Sequence, residues 1–295
     1  MNQEPRVVVD YRNIVGEGPL WNTLDNRLYW GDITGGKLFR YDAATGDHEQ
    51  IFEGAVVGGF TIQADGSLLL FMEHGRIAVL RDGQLTDIFQ SLAGEEANRF
   101  NDVIADPRGR VFCGTMALDS SKGVSMEVVG RLYRLDTDGS ITQLLDGVGI
   151  SNGLGFTPDR KQMYYTDSPR HEIYLFDYNE STGEITNQRV FTTTPEDEGV
   201  PDGMTVDAEG YVWSARAEGG RVVRYSPDGK LDRTVLFPTA NIPSSLIFGG
   251  PEMTDIYVTT IGGDQRPGAG TDAGALFQMN FGIRGVSDFH SRVRL

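Results

Sequence analysis

Cysteine is almost missing from this chain. Cys113 is the only one in 295 residues, so no disulfide can form within it. It stands in the apolar run Val111-Phe112-Cys113, as a buried core thiol would. Histidine is scarce too. His48, His74, His171 and His290 show no metal-ligand spacing, and each is expected on the surface or in a hairpin. No apolar run approaches the roughly 18 residues of a membrane span. The opening residues MNQEPRVVVD lack a basic segment followed by an apolar one, which predicts a cytoplasmic protein with no signal peptide and no membrane partner. Positive charge is in deficit. Lys and Arg number 26 against 42 Asp and Glu, a formal net charge of −16. Without a basic stripe to neutralise phosphates, a nucleic-acid partner is not expected. Amphipathic helical patterning is also lacking.

What is plentiful is glycine, with 38 residues, among β-branched and aromatic ones. That composition suits many short strands joined by tight turns. One motif recurs six times: a turn residue followed by an alternating apolar run. Its copies start at Gly36 (GKLFRYD), Gly75 (GRIAVLRD), Gly130 (GRLYRLD), His171 (HEIYLFD), Gly220 (GRVVRYS) and Gly274 (GALFQMN). Period-two alternation marks strands with one buried face. A second strand precedes each copy, as in the runs from Arg27, Ser67, Arg110, Gln162, Tyr211 and Asp255. A further strand lies before that, across turns such as Asp65-Gly66 and the one from Asp207 to Gly210. A fourth follows most copies.

Four antiparallel strands repeated six times predict an all-β fold, a six-bladed β-propeller forming a single domain over residues 1–295. The sixth blade lacks an outer strand after its last copy, while the run from Arg6 (RVVVDY) is unassigned. The N-terminal strand is therefore expected to close the last blade, which also removes a sheet edge.

In a propeller the first strand of each blade lines the central channel. The residues entering these strands are Glu17, Gly58 or Gly59, Asn101, Asn152, Asp202, and Ser244 or Ser245. Any one of these could be a strand-entry turn residue. Several polar groups at one register of otherwise apolar strands point instead to converging side chains at the channel mouth. Two carboxylates and amide oxygens make a hard oxygen site, suited to Ca²⁺, Mg²⁺ or Mn²⁺, with Zn²⁺ still possible.

At these residues the chain resembles the sugar-lactone hydrolase family of gluconolactonase, regucalcin (senescence marker protein) and luciferin-regenerating enzyme. The motifs that carry it are Gly16-Glu17-Gly18-Pro19-Leu20-Trp21, Arg99-Phe100-Asn101-Asp102 with Gly114-Thr115-Met116, Ser151-Asn152-Gly153, and Pro201-Asp202-Gly203-Met204. A weaker match joins Gly249-Gly250-Pro251 to the run Tyr257 to Thr260. The resemblance implies a six-bladed propeller with one divalent cation, Ca²⁺ first, with Mg²⁺, Mn²⁺, Fe²⁺ or Zn²⁺ as alternatives. It implies Glu17, Asn152 and Asp202 as metal ligands and Arg99 and Asn101 as substrate-binding residues. It makes Asp202 the catalytic base, with a water activated at the cation as the rival nucleophile. The implied reaction opens a sugar lactone, of gluconolactone type, to the aldonic acid.

Two rivals accompany this reading: a phosphotriester or aryl-ester hydrolase on the same site, and a non-catalytic propeller that binds calcium or a sugar acid. One departure concerns substrate choice. Regucalcin-like members have an acidic residue two positions after Gly-Thr-Met; here that position is Leu118, with Asp119 next. The loop 117–129 is long and is expected to shape the pocket. A monomer or weak homodimer is expected.

Overall fold

The computed structural model describes residues 3–118, 129–263 and 266–294. Six four-stranded antiparallel sheets follow one another along the chain. Their innermost strands are Gly16–Asn22, Val57–Ile62, Asn98–Ala105, Ser151–Phe156, Val200–Val206 and Pro243–Gly249. Five blades are built from consecutive strands. In the sixth, Pro243–Gly249 is followed by Asp255–Thr260 and Leu276–Asn280, and the outermost strand is Arg6–Val9. Arg6 pairs with Gln278 and Val7 with Phe277, so the N-terminal strand closes the ring as the sequence predicts.

Burial falls from the axis outward. Val57–Ile62, Ser151–Phe156 and Pro243–Gly249 are buried at every position, whereas the outer strand His48–Glu53 is mostly exposed. An innermost strand is covered on both sides, so a polar side chain there has left bulk water and must find partners. The blades pack through aromatic and aliphatic layers. Trp21 of the first blade, for instance, stacks on Tyr257 of the sixth with centroids 5.9 Å apart. Cys113 is fully buried in such a layer, and burial pushes its thiol well above the usual range, so it is inert.

The Asp-led turns do more than reverse the chain. Asp207 Oδ1 accepts the N–H groups of Glu209 and Tyr211, both at 3.0 Å, while its Oδ2 takes Arg224 Nη2 at 2.7 Å and Trp213 Nε1 at 2.9 Å. Asp106 pairs with Arg110 in the same way and also accepts the hydroxyl of Tyr178 in the next blade at 2.7 Å. These fully buried carboxylates are each saturated by donors, which is what makes their burial tolerable.

The C-terminal tail was not foreseen. After Asn280 the chain crosses the end of the channel away from the strand entries. Ala208 N–H donates to Arg284 O, Ser291 N–H to Ile62 O, Arg292 N–H to Gly109 O and Arg294 N–H to Thr137 O. Val286, Ser287, Asp288 and Phe289 thereby line the channel with Ile104, Leu154 and Met204. His290 rides on this tail rather than in a hairpin. Ten residues of the predicted pocket loop, 119–128, lie outside the described residues.

Candidate active site at the channel mouth

All six innermost strands break register with their neighbours where the polar residues stand. The slips fall between Glu17 and Leu20, Val57 and Gly59, Phe100 and Val103, Asn152 and Leu154, Pro201 and Met204, and Pro243 and Ser245. An irregularity of this kind leaves residues outside the ladder and re-aims side chains. Repeated around the ring, it turns one position per blade toward the axis. That is why the polar residues could be picked out at a single register.

Glu17, Asn101, Asn152 and Asp202 are each about 5–6 % exposed, and Arg99 is partly buried among them. The two amides touch: Asn101 Nδ2 donates to Asn152 Oδ1 at 2.7 Å and to the Ser151 carbonyl at 2.8 Å. Arg99 Nη1 donates to Asn101 Oδ1 at 2.6 Å and to the Phe100 carbonyl at 2.9 Å. Arg99 thus bonds to an amide and a carbonyl oxygen, and no ion pair between it and a carboxylate is seen among the described residues. Ser244 does not face the channel: its hydroxyl donates to Gly16 O and contacts Thr259 Oγ1 at 3.0 Å. Ser245 lines the channel instead.

A third carboxylate joins the cluster. Asp102, next to Asn101, lines the channel cavity of about 50 Å³ that runs from Gly18 to Asp288. The sequence places Asp102 in a motif but gives it no role. Its proximity is visible in the electrostatics. Burial, then the charges of Asp202 and Asp102, push the Glu17 carboxyl well above its usual range. Burial and then Asp102 do the same to Asp202. Burial lifts Asp102 to about 7 against the opposing pull of Arg99. Burial likewise lowers the Arg99 guanidinium to about 10, although Glu17, Asp102 and Asp202 all favour its charge. Three buried carboxyls beside one partly offsetting cation are best accommodated when further positive charge joins them.

No three His, Cys, Asp or Glu side chains among the described residues are arranged to hold a metal by themselves. A cation here must therefore draw on amide and water oxygen as well. Glu17, Asp202 and the Oδ1 of Asn152 are the groups that would supply such a mixed, all-oxygen set, and the excess buried negative charge would suit a divalent ion.

A family model described as SMP-30/Gluconolactonase/LRE-like region matches residues 15–262. The Pentonolactonase XacC of Haloferax volcanii is 46 % identical over 295 residues, covering 98 % of each chain. The solved luciferin-regenerating enzyme has a TM-score of 0.88 at 29 % identity, covering 98 % of this chain and all of its own. A solved calcium-binding protein, regucalcin from Agrobacterium tumefaciens, also has a TM-score of 0.88, at 25 % identity, covering 99 % of this chain and 98 % of its own.

Proposed function

Because the chain belongs to the SMP-30/gluconolactonase/LRE-like family, we propose that it is a lactonase that opens sugar lactones to aldonic acids at the channel mouth. The observation that carries this is the hydrogen-bonded line Arg99–Asn101–Asn152 beside the buried carboxyls Glu17 and Asp202. It joins groups suited to sugar hydroxyls to groups suited to a hard cation. The 46 % identity to a pentonolactonase favours five-carbon aldonolactones as first substrates, with gluconolactone as the six-carbon comparison.

Glu17, Asn152 and Asp202 hold one divalent cation, Ca²⁺ first, with Mg²⁺, Mn²⁺, Fe²⁺ or Zn²⁺ as alternatives. When bound, the cation supplies Lewis acidity toward the lactone carbonyl. Arg99 and Asn101 orient the sugar through its oxygens. The guanidinium is preset by its two bonds to Asn101 and Phe100, so little freedom is lost on binding. Asp202 serves as general base. Water forms a bond to the carbonyl carbon and passes a proton to the Asp202 carboxylate. The ring C–O bond then breaks, and Asp202 returns the proton to the departing ring oxygen. The acid formed ionises in neutral solution, so turnover acidifies the medium. No helix among the described residues is long and apolar enough to cross a membrane, and a cytoplasmic location is part of this proposal.

The test is acid release followed with a pH indicator. Stripped protein is offered xylono-, arabinono-, galactono- and gluconolactones, each with one added cation. Cation-dependent release above the spontaneous rate is the expected result. No acceleration with any pair would reject the lactonase and leave a sugar-acid- or calcium-binding propeller; phosphotriesters and aryl esters would then be offered.

A further inference from the structure

Asn152 is held from behind as well as from the channel. Its Nδ2 donates to Ser168 Oγ at 2.8 Å, and Ser168 Oγ donates to the Pro201 carbonyl at 2.6 Å. Ser168 is only 2 % exposed. It follows Asp167, the last residue of the second strand of the fourth blade, and opens the single helical turn Ser168–Arg170. Pro201 belongs to the fifth blade and immediately precedes Asp202.

The direction of each bond is fixed by groups that have no choice. A carbonyl can only accept, so the one hydroxyl proton of Ser168 is committed to Pro201. Ser168 Oγ can then only accept, and the Asn152 atom facing it must be the N–H. At the other end Arg99 can only donate and the Ser151 carbonyl can only accept, which fixes the Asn101 amide in the same sense. Asn152 Oδ1 is therefore held on the side of Asn101, whose N–H takes one lone pair, and no other donor reaches it among the described residues.

We propose that Ser168 is a positioning residue that fixes the amide of Asn152 with its oxygen toward the cation and ties it to the strand bearing Asp202. The inference rests on the reading of Asn152 as a cation ligand. Remove the hydroxyl and Nδ2 loses its buried acceptor. The amide then swings toward another acceptor for its N–H groups, which draws Oδ1 away from the cation. A residue that orients a ligand in this way typically affects metal affinity by roughly 10- to 100-fold.

The experiment is calorimetric titration of Ca²⁺ into the stripped full-length chain, as wild type, Ser168→Ala, Asn152→Asp and the double variant. A carboxylate has no N–H to satisfy and presents oxygen whichever way it turns, so Asn152→Asp does not need the Ser168 acceptor. The expected result is a loss of roughly tenfold or more for Ser168→Ala in the wild-type background and under about threefold in the Asn152→Asp background. An undiminished Ca²⁺ affinity in Ser168→Ala, or an equal loss in both backgrounds, overturns the positioning role while leaving the site's reading intact. Failure of the wild type to bind any divalent cation overturns both. Should Ser168→Ala not fold, Ser168→Cys keeps the volume with a weak acceptor; wild-type affinity in that variant would count against the role, and a severalfold loss for it.

Discussion

Gly153 lies against the backbone of Asp202 across the seam between the fourth and fifth blades. A Cβ at 153 would stand 2.6 Å from the Asp202 carbonyl oxygen and 2.8 Å from Thr166 Oγ1. Neither neighbour has room to retreat, since both are buried. Replacing Gly153 by Ala should push the Asp202 strand outward and cost about 1–3 kcal/mol of stability. Denaturant unfolding checks the stability, and lactone turnover should fall with it. An unchanged midpoint would show that the seam yields more easily than its geometry indicates.

The roles of Glu17, Asp202, Arg99 and Asn101 separate by readout. Glu17→Ala and Asp202→Ala should lose cation binding and turnover together, because each removes a carboxylate from the oxygen set. Arg99→Ala should keep the cation and lower kcat/KM by about tenfold or more, since orientation of the sugar is what it removes. Asn101→Ala should likewise retain the cation and lose turnover. Calorimetry with Ca²⁺ beside a turnover assay resolves the pairs. Full activity in Asp202→Ala would reject the mechanism.

Cation binding should depend on pH in a definite direction. Burial holds Glu17, Asp102 and Asp202 protonated above the usual carboxyl range, with repulsion from neighbouring carboxylates adding to it at Glu17 and Asp202. A cation must displace those protons to bind, so its affinity should strengthen as pH rises. The upward shift in Tm on adding Ca²⁺ should therefore be larger at pH 8 than at pH 6. A pH-independent shift would mean that the carboxyls are already ionised in the stripped protein.

Asp288, on the tail that crosses the channel, supplies a second pH effect with the opposite sense. Burial lifts its carboxyl to about 7, and its Oδ2 has no hydrogen-bond partner. The folded chain thus keeps a proton that the unfolded chain releases near pH 4. Its contribution to stability is fully present below about pH 4 and is lost as pH rises toward 7. The titratable groups lining the cavities around it are Asp102 across the channel and His290 on its own segment, and the neutral polar ones are Thr61, Thr205, Ser245 and Ser287. Asp288→Asn should remove this loss and raise stability at pH 8 by at most about 4 kcal/mol, with little change at pH 4. Thermal unfolding at the two pH values decides the matter.

The ring was legible because its signals are local. Alternation in runs such as Lys37–Tyr41 and Arg221–Tyr225, and Asp-led turns at Asp106 and Asp207, are written within a few residues of each strand. The closing strand was legible by elimination, since Leu276–Asn280 had no following partner. Glu17, Asn101, Asn152 and Asp202 stood out as polar residues where neighbours are apolar. What stayed hidden depends on distance. Ser168 meets Asn152 sixteen residues away and Pro201 thirty-three away, and nothing local marks it. The tail from Phe281 to Arg294 carries no periodicity. It joins the ring through backbone bonds to other blades and through side-chain bonds such as Thr61 Oγ1 to Ser291 Oγ at 2.8 Å. The strand irregularities also leave no periodic trace, although the glycines beside them are a clue. Gly58, for example, must be bare because a Cβ there would meet Phe100 O at 1.8 Å.

The pairing of Arg6 with Gln278 has a consequence for synthesis. The strand Arg6–Val9 must wait for Leu276–Asn280, which is made long after it. At about 5–20 residues per second, the intervening chain takes roughly 15–55 s to appear. Throughout that interval Arg6–Val9 has no sheet to join, and five finished blades can pack only into an open arc. Both ends of the arc offer unsatisfied blade faces to other nascent chains. The latch thus forms as one of the last events of folding, and the risk of misassembly is concentrated in the moments before it shuts.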